Sequence, residues 1–284
     1  MKIRRHTVRL RGLDWAYYTV GSGSPMVVVP PFHADIERLA PVLTYLGKYF
    51  FVISPELPGI ATPTPFTGYP HTSNTYAIFI GDFIKRLRLR DYVMLAISFG
   101  GVIAIRMLEI GVVSPRKLVM YGVPLDAAHI HLSWGQRIVL SSYQIVAKNK
   151  RRAETFARYF FGTPWIISAV FAIKFIGQKQ YWKIVAHQTR LTVTIHPKAW
   201  VELLKEIFSL RLSEEPLQFT VPALLVYHKH DNMLDVPQAV AGMRRIFPNS
   251  QTIIIPEGLH APVAPITEKE AAIWVSALLP MIHV

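Results

Sequence analysis

The stretch Val93-Met94-Leu95-Ala96-Ile97-Ser98-Phe99-Gly100-Gly101-Val102-Ile103-Ala104 decides how the rest of the chain is read. An apolar run of strand length enters a serine among small residues, then leaves through two glycines into helical spacing at Ile103, Met107 and Leu108. That is a strand, a sharp turn and a helix. A serine at such a turn takes an uncommon backbone conformation that lifts its Oγ clear of both elements, while the helix start behind it points free N–H groups at any anion forming there. The usual pattern is Gly-x-Ser-x-Gly, and Ala96 stands in for the first glycine at the cost of one methyl of crowding. Taken alone, the string also describes a glycine-rich helix start with Ser98 as its cap.

Upstream, residues 6–20 alternate and suit two antiparallel strands turning near Gly12-Leu13-Asp14. Met26-Val27-Val28-Val29 reads as a strand buried on both faces, ending in Pro30-Pro31-Phe32-His33. A helix follows with Ile36, Leu39, Val42, Leu43 and Leu46 on one face, then a strand over Phe50-Phe51-Val52-Ile53. Residues 60–73 form a Pro- and Thr-rich surface loop, and Asn74 or Thr75 caps a helix reaching about Leu89. Downstream, Lys117 to Tyr121 is the next strand. This alternation predicts an α/β fold, a mostly parallel central sheet flanked by helices.

From about Ala127 to Leu217 the periodicity is helical, without a buried strand, and aromatics are dense, from Trp134 and Tyr143 through Trp165 and Trp182 to Trp200. The alternation resumes with a strand over Val221 to Tyr227, a helix near Pro237 to Phe247, a strand over Thr252 to Ile255 and a helix from Glu268 to Leu279. The expected organisation is a core of residues 1–126 and 218–284, interrupted by an all-helical lid over 127–217. Such a lid covers the C-terminal edge of the sheet, where open parallel sheets bind ligands.

Composition sets further bounds. At 284 residues and 51% hydrophobic content the chain can bury a large core. With no cysteine it forms no disulfide, thiolate metal site or cysteine nucleophile, which fits a reducing compartment. The first residues alternate and form no signal-type apolar core, so a cytoplasmic location is expected. The apolar run from Pro164 to Gly177 is shorter than the ~20 residues that cross a bilayer. The net charge of +13 is scattered and surrounded by no nucleic-acid module, so no nucleic-acid partner is expected. Contact with an anionic membrane surface stays open, through Trp165 to Phe171 with Lys174, Lys179 and Lys183 nearby, although a buried lid helix is the first expectation there.

A serine hydroxyl needs a base, and the base an orienting carboxylate. Gly258-Leu259-His260-Ala261-Pro262 directly follows the last strand, and His228-Lys229-His230-Asp231-Asn232 follows the one before it. The order Ser, Asp, His, each just past a parallel strand, sets all three on one edge of one sheet. Asp235, and more remotely Asp126, compete for the acid role, and His228 with His230 is too sparse a set for a metal.

These features resemble the α/β-hydrolase fold superfamily, in its serine esterase and lipase-like branch. Ala96-Ile97-Ser98-Phe99-Gly100-Gly101 looks like its nucleophile elbow, Gly258-Leu259-His260 like its histidine loop, and Glu56-Leu57-Pro58-Gly59-Ile60-Ala61-Thr62 is similar to its Asp-x-Pro-Gly-x-Gly-x-Ser loop. The resemblance implies Ser98 as nucleophile, His260 as base and Asp231 as its partner, with no cofactor and no metal. It also implies an oxyanion hole, one donor being the N–H of Phe99. The family's His-Gly-x loop is here Pro30-Pro31-Phe32; Pro31 has no N–H, so Phe32 is the second donor, and the Pro-Pro pair admits a cis bond. The function implied is hydrolysis of a small hydrophobic carboxylic ester through an acyl-enzyme. The alternatives are a carbon–carbon bond hydrolase, a thioesterase, an aminopeptidase or a non-catalytic receptor. An aminopeptidase needs lid acids, and Glu154, Glu202 and Glu206 look surface-bound by spacing. The sequence leaves the oligomeric state open.

Overall fold

The computed structural model describes residues 1–62, 64–131, 141, 145, 148–256, 258, 260 and 266–282. β1 (Arg4–Leu10) and β2 (Leu13–Val20) form a hairpin. Its two-residue turn is Arg11-Gly12, both left-handed at φ 45° and 83°, one residue earlier than the expected turn. Such a turn matches the right-handed twist of the paired strands. β3 (Pro25–Val29), β4 (Phe51–Pro55), β5 (Val93–Ile97), β6 (Lys117–Tyr121), β7 (Ala223–His228) and β8 (Ser250–Ile255) are mutually parallel. The strand order is β1-β2-β4-β3-β5-β6-β7-β8, with β2 antiparallel to β4. The expected mostly parallel sheet is therefore present.

Side chains of the central strands alternate between two cores, as a period of two requires. Val27, Met94, Met120 and Leu225 face one side, and Val28, Leu95, Val119 and Leu224 the other. All are essentially without solvent contact, each contributing about 1.5–3 kcal/mol over the exposed state. On the second side α1 (Ile36–Leu46) packs against α9 (Glu268–Ile282). On the first lie α2 (Ser73–Arg86) and α3 (Phe99–Glu109), followed later in the chain by α8 (Val236–Ile246). The cap of α2 is Thr72, not Asn74 or Thr75: its extended backbone lets Oγ1 accept from the Thr75 N–H at 3.2 Å.

Between the neighbouring strands β6 and β7 the chain makes α4 (Lys150–Phe160), α5 (Pro164–Lys174), α6 (Tyr181–Thr194) and α7 (Pro197–Phe208). The described residues of 127–217 contain no strand. Trp134 and Tyr143 lie outside the described residues, as do Leu259, Ala261 and Pro262 of the histidine loop. The aromatics of this segment divide in a way their helical spacing did not reveal. Phe161, Phe175 and Trp200 are buried, but Tyr159, Trp165 and Trp182 are 68%, 73% and 72% exposed. The buried-helix expectation for Trp165 to Phe171 holds at Ile167 and fails at Trp165. Among the described residues no single helix is long and apolar enough to cross a membrane.

Candidate active site

Ser98 is the junction of β5 and α3, at φ 52° and ψ −120°. A non-glycine residue rarely sits there, and the surrounding hydrogen bonds hold it. Its N–H donates to the Tyr121 carbonyl at 2.8 Å, and its carbonyl accepts from the Gly101 N–H at 2.8 Å. The close approach that demands a small residue is at Gly100, where a Cβ would stand 2.4 Å from the Val29 carbonyl oxygen. Helix α3 therefore begins against the end of β3, and that contact makes Gly100 obligatory. Ala96 fits, fully buried in β5 beside Val29 and Met120.

The loop after β8 brings His260 Nε2 to 3.0 Å from Ser98 Oγ. The loop after β7 brings Asp231 Oδ2 to 3.0 Å from His260 Nδ1. Oδ1 of Asp231 accepts from the N–H groups of Met233 and Leu234, both at 2.8 Å. Burial pushes this carboxyl up, but the His260 hydrogen bond and charge and the two N–H donors outweigh it, leaving Asp231 below the ordinary carboxylate value. An ionised carboxylate only accepts, so Nδ1 carries the imidazole proton and Nε2 is free to accept from the serine. Asp231 and His260 side chains are 0% and 7% exposed, which shields the bond between them.

The other acids are occupied elsewhere. Asp235 caps α8, accepting from the N–H and side-chain amide of Gln238 at 3.2 and 2.8 Å. Asp126 accepts from the Ser213 N–H at 3.1 Å. His228 is buried, 2.6 Å from the Tyr121 hydroxyl, and packs on Trp274. Among the described residues no three His, Asp or Glu side chains converge as metal ligands do.

Phe99 opens α3, where the first N–H groups of a helix have no intrahelical acceptor. Phe32 lies in the loop after β3, and its peptide bonds are trans: among the described residues no bond is cis. The Phe32 ring meets Phe99 at 6.5 Å and Trp200 at 5.1 Å between centroids, both edge to face. Trp200 in turn stacks on Phe161 at 4.4 Å. An aromatic wall built from the β3 loop and from α7 thus reaches Phe99, the residue after Ser98. The next residue, His33, is left-handed at φ 62°. Its Nε2 lies 2.9 Å from Thr192 Oγ1, whose own proton goes to the Gln188 carbonyl at 2.8 Å, so His33 is the donor. Burial, reinforced by the charge of Arg38, pushes His33 down to about 3 and keeps it neutral.

Sequence reading missed three features of this edge. Gly122, left-handed at φ 57°, lies close to the His260 ring. Its one signal was a glycine directly after a strand. Glu202 and Glu206 of α7 are not surface-bound as expected. Glu202 accepts from the His71 N–H at 2.7 Å and lies 3.1 Å from His71 Nδ1; Glu206 accepts from the N–H and hydroxyl of Ser73 at the start of α2. Arg190 of α6 pairs with Asp35 at 3.1 Å and Glu37 at 2.7 Å, where α1 begins. The helical segment is thereby fastened to the core at the starts of both α1 and α2.

The model of a family described as the alpha/beta hydrolase family matches residues 23–269. No curated protein matches by sequence. A membrane phospholipase A described as a bacterial virulence factor superposes with a TM-score of 0.72 at 17% identity, over 99% of this chain and 87% of that one. A thermophilic esterase from Thermogutta terrifontis gives 0.70 at 17%, over 99% and 100%. The N-acyl homoserine lactonase AidH gives 0.68 at 20%, over 99% and 97%. At such identities the likeness is one of fold. The residues matched by the family model cover most of the chain and include β3 to β8, Ser98, Asp231 and His260: the chain belongs to the alpha/beta hydrolase family.

Proposed function

We propose that the chain is a serine hydrolase that cleaves hydrophobic carboxylic esters. The observation that carries the reading is the unbroken run Ser98 Oγ, His260, Asp231, with both hydrogen bonds 3.0 Å long. Ser98 Oγ attacks the acyl carbon as His260 Nε2 takes its proton; Asp231 holds the imidazole and stabilises its cation. The carbonyl oxygen becomes an anion facing the N–H of Phe99 and, from the opposite loop, that of Phe32. A donor of this kind contributes about 3–4 kcal/mol to the transition state. His260 returns the proton to the departing alcohol, leaving an ester on Ser98, and water repeats the sequence to release the acid.

The aromatic wall of Phe32, Trp200 and Phe161 supports an apolar acyl or alcohol group, and the helical segment over the sheet edge is read as a lid. Engagement of Glu202 and Glu206 by His71 and Ser73 removes two acids that an aminopeptidase would need for a substrate amine. The test is a panel of nitrophenyl esters from acetyl to palmitoyl, beside an aryl dienone and an aminoacyl anilide. Turnover of the esters with a preference for longer acyl groups supports the reading. Faster turnover of the dienone than of any ester overturns it in favour of carbon–carbon bond hydrolysis.

A further inference from the structure

Helix α5 presents its apolar side to solvent. Trp165, Ala169, Ile173 and, just past its end, Ile176 follow at intervals of four, four and three, one stripe of a helical surface. Trp165, Ile173 and Ile176 are 73%, 74% and 72% exposed, whereas Ile167 on the other side is buried. Tyr181 donates its hydroxyl proton to the Ala172 carbonyl at 2.8 Å, which holds the start of α6, with its exposed Trp182, beside the end of α5. Single exposed apolar residues are ordinary on a protein surface; four large ones on one edge are not.

The charge in the sequence around this stripe is predominantly basic. Residues 148–183 hold eight Lys and Arg against one acid, Glu154, and Arg151, Arg152, Arg158, Lys179 and Lys183 are exposed. A second copy of this chain would bring like charges face to face. Lipid phosphates complement them.

Helices α4 and α5 together have the apolar character of a membrane span, but they are bent by 67° at their junction. Each is 11 residues long, about 16 Å, or half the ~30 Å of a hydrocarbon core. A crossing would also draw Arg151, Arg152 and Arg158 into hydrocarbon, and α4 and α5 are already packed on α7 and α6. A helix with a tryptophan-bearing apolar stripe amid basic side chains lies in the plane of the interface. We propose that the α5 face, with Trp182, docks this protein onto an anionic bilayer surface, Trp165, Ile173 and Ile176 entering the acyl boundary and Lys179 and Lys183 meeting headgroups. Docking is independent of the chemistry at Ser98.

The test uses the whole protein and vesicles of phosphatidylcholine with and without phosphatidylglycerol, sedimented at low and high salt. Recovery with the anionic vesicles is expected, falling toward the neutral-vesicle level at high salt as headgroup attraction is screened. Trp165→Glu and Ile173→Glu are each expected to weaken partitioning roughly tenfold or more, and the Lys179→Glu, Lys183→Glu pair to abolish the preference for anionic lipid. Circular dichroism melts and turnover of a soluble ester without lipid check that the variants are folded. Equal recovery in the supernatant with and without lipid overturns the proposal, as does binding that none of these variants weakens. A lipid-free dimer seen by light scattering and split by Ile173→Glu would assign the face to a second copy instead.

Discussion

Gly122 and His260 lie so close that a Cβ on the glycine would stand 2.9 Å from both Cε1 and Nδ1 of the ring. The residue after β6 is thus a floor for the imidazole, and its φ of 57° independently favours glycine. The Gly122→Ala variant is expected to tilt the ring off the line between Ser98 and Asp231. Displacements near 1 Å cost on the order of 100-fold in rate. Ester turnover and the urea midpoint, measured together, check this: kcat falls about 10- to 100-fold, while stability falls by about 1–2 kcal/mol. A loss of activity no larger than the loss of folded protein would reduce Gly122 to a structural residue.

The two aspartates after β7 have separable duties. Asp231→Asn keeps the shape but lets an amide face Nδ1, favouring the wrong imidazole tautomer, and kcat is expected to fall about 10³- to 10⁴-fold. Asp235→Asn still caps α8, and Asp235→Ala costs about 1 kcal/mol of stability with turnover unchanged. Steady-state kinetics on the purified variants distinguish them. Equal losses at the two positions would contradict the assignment.

Acid should loosen the join between α7 and the core through His71. Its Nε2 accepts from the Phe66 N–H at 3.2 Å, and its Nδ1 faces Glu202, so a second proton has no acceptor to meet. Burial lowers His71 to about 4, the opposing pull of Glu202 offsetting part of that. The unfolded chain binds the proton first as pH drops below the ordinary 6.5, so stability is full above that value and is lost as pH falls toward the folded value. The slope is at most about 1.4 kcal/mol per pH unit. Urea midpoints between pH 7 and pH 5 are expected to decline in the wild type and to decline less in His71→Asn. Parallel curves for the two proteins would place the acid sensitivity elsewhere.

How far this could be read beforehand follows from where each residue sits. Ser98, Asp231 and His260 each come within a few residues of the end of a parallel strand, so strand order alone brings them to one edge. The sheet itself was legible because its central strands are apolar on both faces. Glu202 and Glu206 were not, since helical spacing shows which residues share a face but not what lies opposite that face. Here the opposite groups are His71 and Ser73, some 130 residues away in sequence. Trp165 went astray for the converse reason: an aromatic at helical spacing normally meets a core, and this one meets solvent. Ala96 looked like a departure at the elbow because the usual pattern has glycine there, whereas the close approach in the structure is made by Gly100, against the end of β3.

The most direct measurement is covalent. Incubated with a fluorophosphonate, the wild-type protein is predicted to gain one adduct, mapped by peptide mass spectrometry to Ser98, and to lose ester turnover in proportion. Ser98→Ala is predicted to gain none, and His260→Ala to label orders of magnitude more slowly. Folded wild-type protein that stays unlabelled, or that is labelled elsewhere while turnover continues, would contradict Ser98 as the nucleophile.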